Sequence, residues 1–110
     1  MTETGRRTNM IYELADFQVK AEDHTAFGEA LARAIDAVLS KAQGYRTHQV
    51  LACRETPGRC VLMVGWDSVE DHMVGFRQSA AFADWRAIIG PFFAKLPHVE
   101  HFELFASSAR

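Results

Sequence analysis

The chain has 110 residues, 48% of them hydrophobic and 24% charged, the size and composition of one globular domain. A net charge of −2 at pH 7, with no basic stripe beyond Arg6-Arg7, argues against nucleic acid as a partner. No apolar run approaches the ~20 residues of a membrane span, and the polar start MTETGRRTN lacks the apolar core of a signal peptide, so the expected location is the cytoplasm.

Residues 1–9 read as a flexible tail, residues 10–106 as a single domain and residues 107–110 as a second tail. Ile11 to Val19 reads as a strand, with Ile11, Ala15, Phe17 and Val19 on one face and Tyr12 and Leu14 on the other. Asp23 is expected to cap a long helix whose apolar stripe is Phe27, Leu31, Ala34, Ile35, Val38 and Ala42. Glu29 and Arg33 form an i,i+4 pair on its other side, and Gly44 ends it as the C′ residue. Tyr45 to Cys53 and Cys60 to Trp66 read as a hairpin around Thr56-Pro57-Gly58, the first strand an edge and the second central.

Cys53 and Cys60 are expected opposite each other on that hairpin, as reduced thiols; a cross-strand disulfide is the alternative, and no ligand pair has zinc spacing. Asp67 or Ser68 caps the next helix, which carries Val69, His72, Met73 and Phe76 at i, i+3, i+4 and i+7. Ser79 separates it from a second helix lined by Phe82, Trp85, Ile88, Ile89 and Phe92, which Gly90-Pro91 should stop. Val99 to Ala106 is the last strand.

This order predicts an α+β fold of the ferredoxin-like, split βαβ kind, with a four-stranded antiparallel sheet. All the helices then cover one sheet face, yet the strands are apolar on both faces. The simplest cover for the second face is another copy, so a homodimer is expected, a dimeric α+β barrel.

Trp66 closes the central strand, as a core aromatic or as a pocket wall whose indole N–H meets a ligand. His72 sits on an apolar helix side, as a buried neutral ring or as a general base near neutral pH. Arg86, a surface arginine or an inward one, would stabilise an anion if it points in. Leu62, Phe76, Phe82, Trp85, Ile89 and His101 are the remaining expected pocket residues. His98 and His101 point to opposite faces of a strand and cannot share a metal. His24 and His48 read as surface residues. No Gly-rich phosphate loop, GxSxG, HExxH or CxxC is present, so neither a cofactor nor a metal is expected.

The segment W-D-S-x-E-D-x-x-x-x-F-x-x-S-x-x-F-x-x-W with the closing VEHFELF resembles the antibiotic biosynthesis monooxygenase family, small dimeric α+β-barrel proteins, from Met10 to about Phe105. The resemblance implies oxidation of polycyclic phenols to quinones without flavin, haem or metal. The family's pocket groups are a strand Asn, a strand-end Trp, a helix Tyr and a later Arg. Trp66 and Arg86 match two of them, His72 stands at the Tyr, and Leu62 replaces the Asn. A haem-binding branch would need a histidine where Arg86 sits. The expected function is thus a cofactor-independent monooxygenase for an aromatic, polyphenolic or quinol-like substrate. A non-catalytic small-molecule binder and an isomerase or lyase are the alternatives.

Overall fold

The computed structural model describes residues 10–108. The expected tail over residues 1–9 lies outside these, as do residues 109–110. Four strands form one antiparallel sheet in the order β2-β3-β1-β4: β1 Ile11–Gln18, β2 Tyr45–Ala52, β3 Arg59–Trp66 and β4 His98–Glu103. Helix α1 (His24–Ala37) and helix α2 (Ala80–Ile89) pack on one face, with a π-helical segment over Asp71–Phe76 between β3 and α2. This is the expected α+β, ferredoxin-like fold, with β3 central and β2 at an edge.

Strand alternation decides the core. Glu13, Ala15 and Phe17 of β1 and Cys60, Leu62, Val64 and Trp66 of β3 point at the helices and are buried. Phe27, Ala30, Leu31, Ala34 and Ile35 of α1 meet them. The Phe17 ring stands edge-on to Phe27 at 5.5 Å and stacks on Phe93 at the same distance, which ties β1, α1 and the segment after α2 together.

Several boundaries differ from the sequence reading. Helix α1 ends at Ala37, because Ser40 Oγ and Lys41 Nζ both donate to the Asp36 carbonyl and a 3₁₀ turn follows. Gly44 is therefore no helix C′; with φ +88° it turns the chain into β2. Asp23 stands at the cap position of α1 without a side-chain hydrogen bond. Cys60 faces Ala52, not Cys53, whose N–H donates to the Arg59 carbonyl; both thiols are free. Burial pushes the Cys60 thiol up to about 11.

The last strand stops at Glu103, opposite Ile11, the first residue of β1. Val69 and Met73 are exposed although they fall on the expected helical stripe. The reason is the π-helical winding, in which Arg77 N–H reaches the His72 carbonyl five residues back. It keeps His72 and Phe76 buried and turns the other two outward.

Candidate active site

The sheet and the helices enclose a cavity of about 440 Å³. Its wall is largely apolar: Ala15, Phe17 and Leu62 from the sheet, Phe76 from the π-helical segment, and Phe82 and Trp85 from α2 and its start. Four polar side chains interrupt that wall: Glu13, His72, Arg77 and Arg86. Glu13 and His72 are buried, at 7% and 3% exposure, whereas the two arginines are exposed and so stand at the open rim.

Glu13 is delivered by simple alternation on β1. It lies two residues from Ile11 and two from Ala15, on the face that meets the helices. Trp66, the last residue of β3, donates its indole N–H to Glu13 Oε1 at 2.9 Å. His72 Nε2 stands 3.3 Å from the same oxygen. On its other side, His72 Nδ1 shares a 2.8 Å hydrogen bond with Nε2 of His101, which β4 brings opposite Glu13. The His72 ring also stacks on Trp66, centroids 5.2 Å apart. Four residues from three strands and one helical segment thus form one chain, Trp66–Glu13–His72–His101, buried up to the half-buried His101.

The Ser68 hydroxyl fixes the start of the segment that carries His72. It accepts the Asp71 N–H at 3.1 Å and donates to the Asp71 carboxylate at 3.1 Å. The expected Ser68…Asp71 cap is thereby formed.

Burial sets the protonation states. It pushes Glu13 up to about 7, against the pull of the Trp66 hydrogen bond and the Arg77 charge. It pushes His72 down to about 4, helped by His101 and by Arg77. The 3.3 Å contact therefore joins two neutral groups in mildly acidic solution, not an ion pair. A carboxyl titrating near neutrality inside an apolar cavity is suited to proton transfer. Glu13 Oε1 is engaged by Trp66 and His72, while Oε2 has no protein partner among the described residues.

The expected site residues divide into three groups. His72, Leu62, Phe76, Phe82, Trp85 and Arg86 do line the cavity. Trp66 and His101 do not; each stands behind a lining residue, and the Trp66 N–H is spent on Glu13 rather than aimed at a ligand. Ile89 is fully buried in the core and is not part of the wall. Sequence reasoning missed Glu13 and Arg77. The signal for Glu13 was a single carboxylate within the otherwise apolar series Ile11, Ala15, Phe17, Val19.

No group of three or more His, Cys, Asp or Glu side chains among the described residues is arranged to hold a metal ion. No helix is long and apolar enough to cross a membrane, again among the described residues.

Comparison with known proteins bears on the family and the fold. A family model described as antibiotic biosynthesis monooxygenase matches residues 10–88. The uncharacterized protein YczJ of Bacillus subtilis is 34% identical over 94 residues, which is 86% of this chain and 98% of the relative. A crystal structure from Bordetella bronchiseptica, provisionally assigned as an antibiotic biosynthesis monooxygenase, superposes with TM-score 0.83 at 35% identity, covering 88% of this chain and 98% of that one. A structure from Nitrosomonas europaea shares the fold at TM-score 0.75 and 18% identity, over 93% and 96% of the two chains.

Proposed function

This chain belongs to the antibiotic biosynthesis monooxygenase family, and from that premise we propose that it is a cofactor-independent monooxygenase. It oxidises an aromatic, polyphenolic or quinol-like small molecule with O₂ inside the apolar cavity. The observation that carries this reading is the Glu13 carboxyl, buried in that cavity, braced by Trp66 and His72 and titrating at about 7.

In this reading Glu13, not His72, is the base. A histidine held near 4 is neutral at physiological pH and too weak to draw a proton from a phenol. Glu13 Oε2 takes the acidic proton of the bound substrate and leaves a phenolate or enolate. Trp66 and His72 hold Oε1 and fix the carboxylate. The apolar wall of Phe76, Phe82 and Trp85 excludes water, so the anion is poorly solvated and readily gives one electron to O₂. The resulting substrate radical and superoxide combine at a ring carbon. Glu13 returns its proton to the peroxide, and loss of water at that carbon leaves the carbonyl of a quinone.

The test is oxygen uptake on a panel of hydroquinones and anthrone-like phenols, metal-free and without flavin. Wild type should consume O₂, and Glu13→Gln should be slower by about 10²–10⁴-fold, the usual loss of a general base. Uptake no faster than buffer across the panel would favour a second reading, a non-catalytic binder on the same scaffold. One observation supports that alternative: Leu62 lines the cavity where the family resemblance has an asparagine, which removes a hydrogen-bond donor.

A further inference from the structure

The charge on the cavity rim is unbalanced. Arg77, which follows the π-helical segment, and Arg86, in α2, both line the cavity. Their guanidinium carbons lie 5.2 Å and 5.9 Å from the centre of the same ring, Phe82. Neither forms an ion pair or a side-chain hydrogen bond among the described residues, whereas Arg46 and Arg59 each hold an aspartate. Glu13 is the sole carboxylate in the cavity wall, and burial keeps it mostly protonated below neutrality. The wall is therefore positive: two guanidiniums against at most one negative charge. The Arg77 charge is felt by both Glu13 and His72.

We propose that Arg77 and Arg86 form a clamp for a carboxylate, and that the cavity takes an aromatic acid. The ring system would occupy the apolar interior near Glu13. The carboxylate would sit at the rim between the two guanidiniums, which bind such a group through paired N–H donors. Phe82 meets both guanidiniums through its ring face, in place of an acidic partner. This rests on the reading of the cavity as a site for an aromatic small molecule, but not on its oxygen chemistry.

The probes are 6-hydroxy-2-naphthoate and its methyl ester, identical in ring and phenol and different in charge. Affinity for each is measured by calorimetry and by quenching of tryptophan fluorescence, since Trp85 lines the cavity. Wild type should bind the acid about 10- to 100-fold more tightly than the ester, the range of a charge-assisted pair. That ratio should fall toward one in the Arg77→Gln/Arg86→Gln double variant and with rising salt. It should be partly restored in Arg77→Lys/Arg86→Lys, which keeps the charge and loses the fork. Melting curves check that each variant is folded. Equal affinity for acid and ester in wild type, a preference that survives the double substitution, or binding of neither probe overturns the clamp. A retained acid preference without oxygen uptake would overturn the oxygenase reading and leave the clamp standing.

Discussion

At the residue scale, Glu13 and His72 exchange the roles that their ordinary acidities would give them. In the unfolded chain at pH 5.5, the carboxyl is ionised and the imidazole is charged. In the folded chain, with Glu13 at about 7 and His72 at about 4, both are neutral and the proton count is the same. The sign for each follows from linkage. Glu13 is raised in the folded state, so its contribution is favourable below about 4.5 and is lost as pH rises to about 7, on the order of 3 kcal/mol in all. His72 is lowered, so its contribution is lost as pH falls from about 6.5 toward about 4. The two slopes oppose each other across the shared window. Neither shift is caused chiefly by the other residue, so each survives removal of its partner. Relative to wild type, Glu13→Gln should gain stability from pH 4.5 to 7, and His72→Gln should lose it. Denaturant unfolding at four pH values in that range checks this, and parallel curves for all three proteins would refute it.

At the element scale, the site depends on a glycine far from it in sequence. Gly44 has φ +88°, and a Cβ there would run into the Asp71 carboxyl, which accepts the Ser68 hydroxyl at the start of the segment carrying His72. The Gly44 carbonyl also accepts the Asp67 N–H at 2.8 Å, tying the start of β2 to the end of β3. Gly44→Ala should cost about 1–2 kcal/mol for the left-handed backbone alone. It should also weaken cavity binding, because displacing Asp71 moves its neighbour His72. Unchanged urea unfolding and unchanged probe affinity would show that the contact is dispensable.

The same junction marks how far the sequence was readable. Strand alternation and helical periodicity are local, and they predict the four strands, both helices and the lining residues Phe76, Phe82 and Trp85. The π-helical winding depends on how Asp71–Phe76 seats against Trp66, so the spacing of Val69 and Met73 misleads. Glu13 was visible as a lone acid in an apolar series, but its role needs Trp66 and His72 to arrive from distant parts of the chain.

At the scale of the whole molecule, the sheet face opposite the helices is unfinished. Tyr12 and Leu14 of β1, Leu51 of β2, Val61 and Met63 of β3 and Phe102 of β4 all point to that side by their register. Leu51 and Phe102 are 53% and 47% exposed, and Leu104 and Phe105 beyond β4 are open to solvent as well. Leaving apolar surface on four adjacent strands in water is unfavourable at roughly 25 cal/mol per Å². The family's fold commonly dimerises, and a second copy offers a face of the same shape, twist and polarity. The Asp16–Arg59 pair, at 2.7 Å on the margin of that face, would remain at its polar edge. Light scattering on the wild-type protein should therefore return twice the chain mass. Met63 lies between Leu14 and Gln49 in the middle of the face, so Met63→Glu should place a charge where two sheets meet and give a monomer. The cavity opens on the other side of the sheet, so the monomeric variant should keep its affinity for the naphthoate probe. A wild-type monomer at tens of micromolar would sink the dimer, and loss of probe binding in the Met63 variant would mean that the partner helps to complete the site.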